Sequence, residues 1–143
     1  IKFLKGSAAF HAAIMKTLPG YKPFTVTLEV DGEPRRAEKV MMISILNGKV
    51  YGAGMEAAPH AEMDDGRMDI LIIRATSKVK LLPLVRKVGA GEHVGDPLCE
   101  LFQARALKLT TIPVLPLNID GEIRGTTPMD ISVRSRALKV LVR

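Results

Sequence analysis

The chain has 143 residues, 47% of them hydrophobic and 25% charged, with 21 Lys and Arg against 15 Asp and Glu for a net charge of +6. That length and balance suit one soluble globular domain with a core of its own. The apolar runs at residues 41–46 and 70–73 are far too short to cross a bilayer, the single cysteine, Cys99, excludes an intrachain disulfide and a thiolate metal cluster, and a chain without Trp and with 4% aromatics offers no stacking surface for nucleic acid.

Residues 7–18 read as a short helix: Ser7 can cap it, Phe10, Ile14 and Leu18 share a stripe, and Pro19-Gly20 ends it. From Phe24 the period changes to two, with Phe24, Val26, Leu28 and Val30 alternating with Thr25, Thr27 and Glu29. Asp31-Gly32 predicts a tight hairpin that returns through residues 35–40. The nearly continuous apolar run at 41–46 predicts a central strand covered on both sides, closed by the Asn47-Gly48 turn. Residues 51–66 form an irregular stretch too long for a plain hairpin, and long loops in compact domains are often functional.

Residues 68–74 predict another buried strand. Residues 77–88 place Val79, Leu81, Leu82, Leu84, Val85 and Val88 on a broad helical face, with Pro83 inside it predicting distorted first turns or a later start. Short strands follow at 98–102, 104–111, 117–120, 122–124, 129–133 and 138–142. Together these elements predict a single mainly β domain over residues 1–143, an antiparallel, two-layer, barrel-like β-sandwich decorated with one or two helices.

Two constellations can carry chemistry. In Asn118-Ile119-Asp120-Gly121-Glu122, strand alternation puts Asp120 at a strand end and Gly121 permits a reversal, so Asp120 and Glu122 project near each other at the sheet's rim. A carboxylate there can take a proton from a substrate hydroxyl, as phosphoryl transfer requires; an Asp-Gly turn explains the same residues without chemistry. Between Glu62 and Asp69, acidic side chains crowd beside a glycine-rich loop, and Glu62 and Asp65 with a carbonyl just beyond Gly66 can supply hard oxygen ligands to Mg²⁺ or Ca²⁺. An acidic turn entering a strand accounts for them equally well. Residues 47–55 are glycine-rich but lack the strand–loop–helix form of a phosphate cradle, and His11, His60 and His93 lack metal-ligand spacing and read as packing or surface residues.

The order of these motifs says more than any one of them. Asn47-Gly48-Lys49-Val50-Tyr51-Gly52-Ala53-Gly54-Met55, then Ala58-Pro59, then Met63-Asp64-Asp65-Gly66-Arg67-Met68-Asp69, then Pro116-Leu117-Asn118-Ile119-Asp120-Gly121-Glu122 resembles the diacylglycerol kinase and sphingosine kinase superfamily, in particular its soluble bacterial lipid kinases. The resemblance implies a two-domain kinase whose N-terminal domain binds ATP through a Gly-Gly-Asp-Gly-Thr motif and whose C-terminal β-sandwich carries the acceptor side of the cleft. The motif is absent here and the first residue is Ile1, so the expectation is a C-terminal domain, inactive alone, with the ATP-binding domain upstream.

By the same resemblance Asp120 matches the catalytic carboxylate, with Glu122 its neighbour. Asp65 matches a ligand of a structural Mg²⁺, with Glu62 and the Arg67 backbone carbonyl as the other contacts. Arg67 stands where an apolar residue is usual, and Gly52-Ala53-Gly54 replaces a commoner triple glycine. The implied substrates are ATP and a lipid hydroxyl, and the basic excess fits peripheral contact with anionic membrane from the cytoplasm. Two other readings stand beside this one: a noncatalytic lipid- or partner-binding β domain, and an oligomerisation module forming a homodimer.

Overall fold

The computed structural model describes residues 16–52 and 54–139, the Arg36 side chain excepted. Among the described residues there are eight strands: β1 (Phe24–Val30), β2 (Glu33–Leu46), β3 (Met68–Arg74), β4 (Cys99–Ala104), β5 (Ala106–Ile112), β6 (Pro116–Ile119), β7 (Glu122–Thr126) and β8 (Met129–Ser132). One helix, α1 (Lys78–Gly89), lies between β3 and β4. The domain is mainly β and antiparallel, with six strands in the order β4-β3-β2-β1-β5-β8 and a separate two-stranded hairpin, β6-β7.

The expected strands from residue 24 to 133 are all found, with shifted ends. The stretches at 35–40 and 41–46 are one 14-residue strand. Lys16 and Thr17 are helical and run into a 3₁₀ turn at Leu18–Gly20, while the rest of the helix expected at 7–18, including His11, lies outside the described residues. The strand expected at 138–142 is not present at Leu138 and Lys139, and residues 140–142 lie outside the described ones.

Each face of the sheet buries a different set of side chains. On one face Met41, Leu46, Leu71 and Ile73 pack against Leu81, Leu84 and Val88 of α1 and against Met55, Ala57, Ala58 and Ala61 of the long loop. On the other, Phe24, Val26, Leu28, Val40, Ile70, Ile72, Leu107 and Leu109 form a second core. Strand β3 serves both, and Met68 to Ile73 are all buried. Strand β1 serves one, so its residues alternate.

The apolar run of β2 is reconciled with this by a bulge between Val40 and Met42. An extra residue places Met41 and Met42 on the same side, toward the helix, while Val40 and Ile43 face the second core. Arg35 closes that second core from across the sheet. It pairs with Glu100 of β4, a strand separated from β2 by β3, and its guanidinium lies 4.5 Å from the centre of the Phe102 ring. The antiparallel, mainly β, sandwich-like architecture matches the expectation, with the six-stranded sheet open rather than closed into a barrel.

Helix α1 begins at Lys78, with Ser77 as its N-cap, and continues through Pro83, which is exposed. A proline on the solvent side removes one helical hydrogen bond but leaves the freed carbonyl open to water. Arg86 and Lys87 fall in the last turn, where the helix dipole favours cations.

Asp31 fastens the β1–β2 hairpin to the β4–β5 junction. Its left-handed φ of 52° and Gly32 at 90° make the tight turn, and its Oδ1 accepts the Arg105 and Ala106 N–H groups, each at 2.8 Å. Those backbone bonds hold the Asp31 carboxyl below the ordinary aspartate value of 3.8.

Two tests follow from this architecture. Ile72→Ala should destabilise the domain by about 2–5 kcal/mol in denaturant titration, because a fully buried side chain leaves a cavity; a loss below about 1 kcal/mol would contradict its place in the core. Asp31→Asn, which tolerates the same left-handed turn, should lower the melting temperature at neutral pH. A depressed folded pKa gives stability that is present above the unfolded value and lost as pH falls through the folded one, so the gap to the parent should be full well above pH 3.8 and close below it. A gap independent of pH would argue against the charged cap.

Candidate functional site

The two predicted constellations occupy different parts of the domain. Asp120 lies at the tip of the β6-β7 hairpin, with a left-handed φ of 49° followed by Gly121 at 91°. The Asn118 side chain steadies this turn by accepting the Gly121 N–H at 3.0 Å. Asp120 is exposed and makes no hydrogen bond or ion pair among the described residues. Glu122 is exposed too, but its Oε2 accepts from Arg124 Nε at 2.7 Å and is also paired with the Arg124 terminal nitrogen.

The hairpin is an arm whose own strands are almost wholly exposed. Two buried threonines fasten its base. Thr111 Oγ1 donates to the Pro113 carbonyl at 2.8 Å, which uses its only proton, so in the Thr111–Thr127 contact at 2.5 Å the Thr127 hydroxyl is the donor. Thr127 Oγ1 then accepts the Leu115 N–H at 3.0 Å, and the Thr127 N–H donates to the Leu115 carbonyl at 2.9 Å. No motif in the sequence marked this knot.

The acidic constellation lines a cleft of about 370 Å³ at the end of β3 and β4, bounded by His60, Glu62, Asp65, Asp69, Leu101, Phe102 and Gln103. Asp65 Oδ1 accepts the Arg67 backbone N–H at 2.8 Å, and its Oδ2 accepts from Gln103 Nε2 at 3.2 Å. The same amide donates to Asp69 Oδ1 at 3.3 Å, so Gln103 bridges two carboxylates. Gln103 stands opposite Asp69 in the β3–β4 register.

Asp69 is only 4% exposed, and its Oδ2 has no partner. Burial raises its pKa above the aspartate norm, the Gln103 bond opposes that, the Asp65 charge adds to the rise and His60 counters it. Glu62 and Asp65 thus share one cleft, as expected. Arg67 contributes its amide to Asp65 and is not among the residues bounding the cleft. No residue of the arm bounds it.

Asp69, which ends the acidic constellation, and His60, read as a packing or surface residue, bound the cleft too, and so does Gln103, which the sequence did not single out. Asp69 carried a signal, as a charge inside the apolar strand Met68–Arg74, whereas Gln103 depends on register and carried none. His93 is a packing residue: it is fully buried, and its Nε2 lies 3.1 Å from the Ala57 carbonyl.

Among the described residues no three His, Cys, Asp or Glu side chains come close enough to cage a metal ion. The cleft fits a more hydrated cation. Its donors are hard oxygens, and the orphaned, buried Asp69 Oδ2 is a group a cation would satisfy. Mg²⁺ characteristically keeps several waters and takes only one or two carboxylates. Asp65 is the residue best placed to hold it, with Glu62 and the Arg67 carbonyl nearby in sequence, and there it would pin the acidic loop to the strand.

The model of the family described as the YegS C-terminal NAD kinase beta sandwich-like domain matches residues 1–142. The chain belongs to this family. A diacylglycerol kinase of Bacillus subtilis (strain 168) is 27% identical over 128 residues, covering 90% of this YegS-type domain and 42% of that protein. A protein named "Probable lipid kinase YegS-like" from Shewanella frigidimarina (strain NCIMB 400) is 31% identical over 140 residues, covering 98% of the domain and 44% of that protein. A crystal structure from Bacillus anthracis str. Sterne, of a protein assigned as a diacylglycerol kinase, superposes with a TM-score of 0.71 at 20% identity over 88% of this chain and 40% of that one, a likeness of fold. The YegS-type domain spans less than half the length of the curated relatives it matches.

The threonine knot is testable. Thr127→Val removes the hydroxyl that accepts from Leu115 and donates to Thr111, and should destabilise the domain by about 1–3 kcal/mol. A melting curve identical to the parent's would show that the base of the arm is held by other contacts.

Proposed function

We propose that this domain is the acceptor-side half of an ATP-dependent lipid kinase that phosphorylates a hydroxyl of diacylglycerol or a related lipid. The family match across residues 1–142 carries the reading, together with relatives named as lipid and diacylglycerol kinases. In it, the nucleotide is bound by a separate domain of the parent polypeptide, and this domain alone is inactive.

The geometry supports a division of labour on the arm. Asp120 is exposed, with no cation pairing its carboxylate, so it is free to accept the proton of a substrate hydroxyl. The deprotonating oxygen forms a bond to the γ-phosphorus of ATP as the bond from that phosphorus to the β–γ bridging oxygen breaks, and ADP leaves. Glu122 is engaged by Arg124 beside the turn, and in this reading it serves as the neighbour that helps orient Asp120 rather than as the base. Exposed Ile119 and Ile123 on the same arm offer apolar surface beside the carboxylate for the acyl region of a lipid.

A divalent cation at the Asp65 cleft would hold the acidic loop, with Glu62 and the Arg67 carbonyl as further contacts. No helix among the described residues is long and apolar enough to cross a membrane. The net charge of +6 supports access to the lipid through peripheral contact with an anionic surface.

The test is transfer of labelled γ-phosphate to a panel of hydroxylipids by the full-length protein. Label should appear in a lipid, and Asp120→Asn should slow transfer by about 100-fold or more without lowering the melting temperature, because Asn also adopts the left-handed turn. Near-normal turnover by Asp120→Asn would remove it from the role of base. A folded, ATP-binding parent that labels no lipid would favour a lipid- or partner-binding module.

A further inference from the structure

We infer that Asp69, on strand β3, is itself a cation ligand, its Oδ2 joining Asp65 in holding a divalent ion while Gln103 positions both carboxylates. The inference rests on the reading that a divalent cation occupies the acidic cleft, and it moves the centre of that site from the loop to the sheet.

Asp69 is the one charged side chain on the buried stretch of β3, between Met68 and Ile70, and it is 4% exposed. A buried carboxylate oxygen without a partner is costly, and native structures seldom leave one without a reason. Asp69 Oδ1 is satisfied by Gln103 Nε2 at 3.3 Å, while Oδ2 is bonded to nothing and its side chain bounds the cleft.

The surrounding charges sharpen the case. The Gln103 amide also donates to Asp65 Oδ2 at 3.2 Å, so a single nitrogen draws together two carboxylates that would otherwise repel. Among the described residues no Lys or Arg bounds the cleft to offset them, and His60 is its one basic side chain. Two carboxylates and water form a donor set suited to Mg²⁺ or Mn²⁺ and unsuited to softer, cage-bound metals. Glu62 is exposed and makes no hydrogen bond or ion pair among the described residues, which casts it as a water-mediated neighbour.

Mn²⁺ binding to the chain, followed by electron paramagnetic resonance with Mg²⁺ as competitor, reads the site without any catalytic assay. The parent should bind Mn²⁺ and release it to Mg²⁺. Asp65→Asn and Asp69→Asn should each weaken binding roughly tenfold or more, and Glu62→Gln by no more than about twofold. In chelator, Asp69→Asn should melt no lower than the parent, since it removes a buried unpaired charge.

If Asp65→Asn abolishes binding and Asp69→Asn binds as the parent does, the inference fails and the loop site stands alone. If the parent binds neither ion, both the inference and the cation reading fail, while lipid phosphorylation is judged separately by label transfer. Should Asp69→Asn not fold, Gln103→Ala decides: weakened binding supports the inference, and parent-like binding overturns it.

Discussion

Strand β3 buries its side chains on both faces, so each residue from Met68 to Ile73 requires an apolar or hydrogen-bonded environment, and the neighbouring elements are arranged to supply it. Helix α1 and the long loop cover one face, while the second core, with Arg35 stacked over Phe102, lies on the other. Asp69 is the exception within this strand. A charge fixed in the most deeply buried element needs a compensating group, and among the described residues the one within hydrogen-bond reach is the Gln103 amide, already shared with Asp65.

The remaining functional candidates obey a different constraint. The β6-β7 arm adds little to either core, and its stability derives from its base, where the hydroxyls of Thr111 and Thr127 form a directed chain with the Leu115 amide. Beyond that knot the arm relies on its own ladder and on the left-handed Asp120-Gly121 turn. A two-stranded hairpin is marginal by itself in water. The carboxylates it carries are therefore presented on an exposed extension of the body. The acidic cleft sits on the body itself.

Much of the fold was legible because its residues obey one rule at a time. Strand β1 alternates because only one of its faces is buried, and β3 reads as a continuous apolar run because both are. Asp31-Gly32 and Asp120-Gly121 read as turns because few other residues tolerate positive φ. The sequence showed Met41 and Met42 as adjacent apolar residues without revealing that a bulge turns both toward the helix. It also could not distinguish the two Asp-Gly turns. Asp31 caps two amides of a distant junction, whereas Asp120 is left open, and that difference belongs to tertiary structure. Gln103 was invisible for the same reason: its meaning comes from standing across from Asp69, which only register sets. The resemblance, by contrast, rested on the order of several weak motifs, and that order was sufficient to reach the family.

Amide hydrogen exchange under native conditions tests the central claim most directly, because it separates the stiff body from the arm residue by residue. The account predicts that amides of Ile70, Leu71 and Ile72 exchange only through global unfolding. Amides of Asn118, Ile123 and Arg124 should exchange through smaller openings, with Thr127 intermediate between the two groups. Equal protection for the arm and β3 would contradict it, and would mean that the hairpin belongs to the core and that Asp120 is held as rigidly as Asp69.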